Sequence, residues 1–429
     1  MLKMRCFFFL IFANFFIFIT GTALSQPLSI DLDKAFELAL ESHENIKAAE
    51  SDVAKAGEGR HQARGSRSVT LKVEHSTSRT DYQIHGIALN SFQNVFSATY
   101  PLYTGGMITG SIAASEYELS SKILSLERAY QDVRLAVETA FFTMLRTENM
   151  AELAGDSVER LGAHVHNVDV QFRNGNVNKA DLLRSEVELI NARQSMSQAV
   201  NEYEVAIKSL NDVMGLPLDT ELIFDREMSY SVFPHTLDEC IEYALSFHPD
   251  IAIADLSKKK AEAGIVIEES SNKPRVTLSA SQTLGSELVW PGFEKDNLQV
   301  AIRAEYTFWD GGVTNSKIRG AREDLKKAGY NYESARDTVV LNVTKYFLTM
   351  EEALSRIETG AMAVDFAQEA YRIALARYRE GVGTNIDILD AQTALNQSSS
   401  NHTQALCDYN IAVAQLVNAM GIPVTFEDN

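Results

Sequence analysis

The sequence predicts a mainly α-helical protein with a small β part, built by internal duplication. Each copy has a helix, two amphipathic strands and a long antiparallel helical hairpin. Three observations carry this. Leu32-Asp33-Lys34-Ala35-Phe36-Glu37-Leu38-Ala39-Leu40 returns as Leu237-Asp238-Glu239-Cys240-Ile241-Glu242-Tyr243-Ala244-Leu245, the kind of self-similarity that marks a repeat architecture. From Met107 to about Phe172, and again from Val313 to about Tyr378, there is no Pro and little Gly, so nothing interrupts a helix. Between these runs, apolar and polar residues alternate with the period of a strand that is greasy on one face and wettable on the other.

Residues 1–25 read as a secretory leader. Lys3 and Arg5 precede the apolar run Phe7 to Thr20, and Ala23-Leu24-Ser25 offers small residues before Gln26. That run is short for a retained membrane anchor. The first repeat then occupies 26–215, a linker 216–235, and the second repeat 236–429. The opening helices are expected from about Leu32 to Arg64 and from about Leu237 to Ser270. Val69, Leu71 and Val73 begin the first strand set. In the second, Leu298, Val300, Ile302, Ala304, Tyr306 and Phe308 alternate with Gln299, Ala301, Arg303, Glu305 and Thr307. The Pro-free runs imply helices on the order of 100 Å long at 1.5 Å per residue. The returning helices carry Met196, Val200, Tyr203, Ile207, Leu210 and Met214 in one copy and Leu406, Tyr409, Val413, Leu416 and Met420 in the other. Steps of four and three make these packing seams. The correspondence holds without insertion from Val133 and Val339 through Gly175 and Gly381, Asp181 and Asp387, to Gly215-Leu216-Pro217 and Gly421-Ile422-Pro423.

The 39 Lys+Arg and 58 Asp+Glu give a formal charge of -19, which disfavours nucleic acid as a partner. The leader holds two cations and no acid, so the exported chain is more acidic still. A mean hydropathy of -0.13 excludes a bundle of membrane-spanning helices. Cys240 and Cys407 show no CxxC or metal-ligand spacing and are expected as buried, unpaired residues. His164-Val165-His166 is the only close His pair, but i and i+2 on a helix face apart, so no metal or cofactor is expected. There is no P-loop, no GxSxG, no HExxH and no dinucleotide fingerprint, and no enzyme is expected.

Four strands cannot close a barrel, and an open four-stranded sheet with one greasy face would aggregate. Subunits sharing one barrel in an outer membrane resolve this. Tyr100, Tyr103, Tyr306, Phe308 and Trp309 cluster at one strand end, beside Gly105-Gly106 and Gly311-Gly312, as an interfacial aromatic girdle. A soluble sandwich edge is the alternative.

Taken in order, these features resemble the TolC-like outer membrane efflux proteins over essentially the whole exported chain. The residues that carry the resemblance are the duplication, His248-Pro249-Asp250-Ile251, Tyr306-Thr307-Phe308-Trp309-Asp310-Gly311-Gly312, and Tyr378-Arg379-Glu380-Gly381 leading to Asp387-Ile388-Leu389-Asp390-Ala391. The resemblance implies a homotrimer with a twelve-stranded β-barrel and a long periplasmic α-barrel, in outer membrane lipid. It implies a periplasmic adaptor and an inner-membrane transporter as partners. The hairpin tips Asn174-Gly175-Asn176 and Glu380-Gly381-Val382-Gly383 would meet the adaptor, with Gly supplying the φ of a tight reversal. Asp387 and Asp390, with Asp181 as their first-repeat counterpart, would ring a channel constriction. The plainer account of Asp181 and Asp387 is an acid at a helix N-terminus. Gly383 stands where a relative can carry an Arg that ties the tip shut, and Arg377, Arg379 and Arg184 are the substitutes at hand. The implied function is an exit duct for an efflux or type I secretion system. The alternative is a non-conducting periplasmic coiled-coil scaffold.

Overall fold

The computed structural model describes residues 28–82, 87–224, 228–286 and 295–424; the leader at 1–25 lies outside them. Each expected opening helix is two helices meeting at a histidine. In the first repeat, α1 (Leu32–Ser42) and α2 (Glu44–Gly65) join at His43; in the second, α5 (Leu237–Phe247) and α6 (Pro249–Glu269) join at His248. Both histidines adopt extended φ/ψ, and each accepts a hydrogen bond through Nδ1 from the backbone N–H two residues on, Asn45 or Asp250. One side chain thus ends a helix and caps the next, which helical periodicity alone does not disclose. Upstream, Asp31 caps α1, and Thr236 with Glu239 forms a reciprocal capping box on α5.

The strands β2 (Thr70–Tyr82), β3 (Ile87–Tyr103), β5 (Arg275–Ser286) and β6 (Lys295–Glu305) form one antiparallel sheet in the order β2-β3-β5-β6. Register keeps the alternation coherent across it. Leu71, Ala98, Ala280 and Val300 form one lateral row, and Val73, Phe96, Gln282 and Leu298 the next. These share a face on which Leu71, Val73, Leu298, Val300 and Ile302 are each more than 60% exposed. Such a face has to be covered by something other than this chain. The opposite face carries Lys72, Glu74, Ser97, Ser281, Gln299 and Arg303.

Two 67-residue helices leave the sheet, α3 (Met107–Arg173) and α7 (Val313–Arg379), each entered through two glycines with positive φ. They return as α4 (Lys179–Val213) and α8 (Asn385–Met420). The residues that repeat in the sequence are those that pack. Val133, Val137, Phe141, Met144 and Leu210 build the first core, and Val339, Val343, Phe347, Met350 and Leu416 the second. A smaller cluster near the tips joins Val168 and Leu182 of the first hairpin to Ala374, Tyr378 and Ile388 of the second.

Within 216–235, β4 (Leu222–Phe224) pairs in parallel with β1 (Leu28–Ile30). The later part of that segment is tied to α8: Tyr409 Oη donates to the Ser231 carbonyl at 2.8 Å and accepts from the Phe233 N–H at 3.0 Å. Cys240 and Cys407 are buried and unpaired. The α4 seam is closed only in its later part. Leu210 and Met214 are fully buried, whereas Met196 and Val200 remain exposed on the single subunit.

Candidate channel gate and hairpin tips

Both tips reverse the chain in the same way. The α3 end is closed by Gly175 and Asn176 N–H groups donating to the Phe172 and Gln171 carbonyls, each at 2.9 Å. The α7 end is closed by Gly381 to Tyr378 and Val382 to Arg377, each at 3.0 Å. Gly175 and Gly381 have φ of +79° and +74°, the left-handed position that ends helices with a glycine. Gly383 is not there for its φ. A Cβ on it would lie 2.9 Å from Tyr378 N and 3.1 Å from the Arg377 carbonyl carbon, so that glycine supplies space. Asn174, Gly175, Asn176, Glu380, Gly381 and Val382 are all exposed.

Beyond the second tip, Thr384 caps α8. Its Oγ1 accepts from Asp387 N–H at 3.2 Å, and Asp387 Oδ2 accepts from Thr384 N–H at 2.9 Å. That bond holds the Asp387 carboxyl below the usual carboxylate range, with a smaller contribution from Arg377. Asp390, three residues on, shares the exposed side of the helix with Asp387, while Ile388 and Leu389 between them are buried. On α4, Asp181 N–H is held by the Asn178 side chain at 2.9 Å. The Asp181 carbonyl accepts from Asn385 Nδ2 at 3.1 Å, which brings the first turns of α4 and α8 together. Among the described residues, Asp181, Asp387 and Asp390 form no ion pair, and neither do Arg184, Arg377 or Arg379. Like charges left unpaired and repeated around an axis repel each other and attract cations.

The strand-end aromatics lie where the sheet meets the helices. Tyr100 pairs with Leu278 on the apolar face, and Tyr103 follows a bulge after Pro101. The alternation predicts a strand through Phe308, but β6 stops at Glu305. Its partner β5 begins at Arg275, directly opposite, so no ladder remains to extend. Tyr306, Phe308 and Trp309 therefore sit in the loop before Gly311, each more than half exposed.

Two linkages carry no signal in the sequence: the His164–Asn385 contact between α3 and α8, and the Arg128–Asn418 contact between α3 and the end of α8. Each pairs residues more than 200 positions apart that belong to no repeated motif.

Known proteins resemble the chain throughout. A family model described as outer membrane efflux protein matches residues 35–216 and 240–422, the two repeats in turn. Outer membrane protein TolC of Vibrio cholerae is 22% identical over 297 residues, covering 68% of each chain. Outer membrane efflux protein BepC of Brucella suis is 22% identical over 414 residues, 94% of this chain and 87% of its own. The crystal structure of outer membrane protein VceC from Vibrio cholerae superimposes with a TM-score of 0.80 at 17% identity, over 91% of this chain and 96% of that one. The duplicated hairpins and the two-faced sheet thus have a common explanation: the chain belongs to the outer membrane efflux protein family and is an exit duct of the outer membrane.

Proposed function

We propose that the conducting path narrows at the hairpin tips, where Asp387 and Asp390 from three subunits form stacked acidic rings and Asp181 adds charge beside them. The carrying observation is the placement of Asp387 and Asp390. Both lie on the exposed side of α8 within two turns of the tip, and among the described residues neither forms an ion pair. In a narrow passage such rings favour cations and hinder anions. The exposed turns Asn174-Gly175-Asn176 and Glu380-Gly381-Val382-Gly383 are the surface offered to a periplasmic adaptor, through which an inner-membrane transporter delivers cargo. Tyr100, Tyr103, Tyr306, Phe308 and Trp309 mark the inner boundary of the membrane band. The duct moves cargo without chemistry of its own.

Planar-bilayer recordings of the purified trimer beside an Asp387→Ala, Asp390→Ala double variant test this. The native protein is expected to form small cation-preferring channels, and the variant to lose much of that preference or to open wider. An unchanged reversal potential in an assembled variant moves the constriction elsewhere.

A further inference from the structure

Four helices converge on one buried polar node close to the tips. His164 of α3 is 3% exposed, and its Nε2 lies 2.6 Å from Asn385 Oδ1 of α8. Ser185 Oγ of α4 lies 3.1 Å from the same oxygen. Asn385 Nδ2 donates to the Asp181 carbonyl, and Tyr378 of α7 packs edge-on against the imidazole with ring centroids 5.5 Å apart. The Nδ2 contact fixes the amide orientation, because a flipped Asn385 would set oxygen against oxygen. His164 therefore donates through Nε2 and keeps its lone pair on Nδ1. That Nδ1 is buried with no hydrogen-bond partner, as is Tyr378 Oη.

We propose that this node is an acid-released latch: with His164 neutral it ties the two hairpins of a subunit together near their tips, and protonation of His164 releases them to spread. The proposal rests on the tips being the gate of the duct. A second proton on His164 would create an N–H donor and a positive charge in a place with no acceptor. The ring meets Tyr378 of α7 and Asn385 of α8, and behind them lie Ser185 and Asp181 of α4, which reach it only through those two residues. Of these only Asp181 is charged, and it acts on the Tyr378 phenol, adding to the rise that burial imposes there. Burial holds the imidazole below its ordinary value, and the bond to Asn385 offsets this only in part.

The sign follows. In a spread tip the ring meets water and regains a pKa of about 6.5. The latched form is therefore fully favoured above that value, and it loses ground about tenfold per pH unit below it, until the depressed value is reached. Asp387 does not share this window, because its cap keeps it ionised to below the usual carboxylate range.

The test is single-channel recording of the purified trimer from pH 8 to pH 5, beside His164→Gln. Glutamine can donate to Asn385 Oδ1 and does not titrate. The native protein is expected to gain open probability by up to about tenfold per pH unit below about 6.5, levelling off once the latched ring itself takes the proton, and His164→Gln to stay low throughout. Asn385→Ala, which removes the acceptor, is expected to be open already at pH 8. Channels whose opening ignores pH, or an acid rise that survives in assembled His164→Gln, overturn the latch and leave the duct intact. A trimer silent at every pH overturns both.

Discussion

Arg128 and Asn418 clasp each other across the boundary between the two repeats, 290 residues apart in the chain. The guanidinium donates to Asn418 Oδ1 at 2.8 Å and to its carbonyl at 3.1 Å, and Asn418 Nδ2 returns a bond to the Gln131 carbonyl at 3.1 Å. Asp132 and Asp250 flank the cation. The counterpart of Arg128 in the second repeat is Ser334, so the clasp is absent from the equivalent place on the other hairpin. Arg128→Ala is expected to cost about 2–3 kcal/mol, since it removes charge-assisted bonds and leaves Asn418 partly unsatisfied. The readout is the thermal midpoint of trimer dissociation. Arg128→Lys should recover only a part, because a point charge cannot span both acceptors.

Adjacent residues on β6 should respond in opposite ways to the same change. Val300 is on the apolar face and Ala301 on the polar one. Val300→Lys is expected to destabilise the barrel by about 2–4 kcal/mol and to deplete the protein from carbonate-washed outer membranes. Ala301→Lys should leave that level near native.

The two tip glycines differ in kind, and alanine should separate them. At Gly175 it meets open space at positive φ, with an expected cost of about 1–2 kcal/mol. At Gly383 it meets the backbone of Arg377 and Tyr378, so the turn itself must move. Limited trypsin digestion reads this out: cleavage after Arg377 and Arg379 is expected to rise clearly more in Gly383→Ala than cleavage after Arg173 does in Gly175→Ala.

Burial drives the Cys407 thiol up to about 11 and raises that of Cys240. Neither should react with a thiol-specific reagent in the folded trimer at pH 8, and both should titrate at once in denaturant. Since the thiolate is the reactive form, fast labelling of native protein would contradict this packing.

The fold was legible wherever a pattern repeats with the period of its own secondary structure. The alternation of Leu298, Val300 and Ile302 gives a face of the sheet, and the matched Val133/Val339 and Phe141/Phe347 give the cores. The repeated His43 and His248 were legible as helix ends; what was not legible is that a second helix starts at once on the same residue, because one side chain replaces the missing helical bonds while the apolar spacing continues across it. The end of β6 was invisible because it depends on where β5 begins, which is information held by the partner strand. For the proposed gate, the acidic positions come from the repeat and the resemblance alone. The contacts behind them, such as His164 to Asn385, depend on how two hairpins lie against each other, and no local spacing encodes that.

The identical 67-residue spans of α3 and α7 make the molecule a ruler. Each residue sets about 1.5 Å of reach, and both hairpins must end at one level for the tip cluster to form. A deletion in one hairpin alone would retract its tip and rotate its seam by about 100° per residue lost. Changes in reach are therefore tolerated only as matched pairs, in both repeats at once and in steps of about seven residues that restore the seam. The gap this duct can bridge is thereby quantised at about 10 Å per step, and a homologue built for a wider or narrower periplasm should differ by whole heptads in both hairpins.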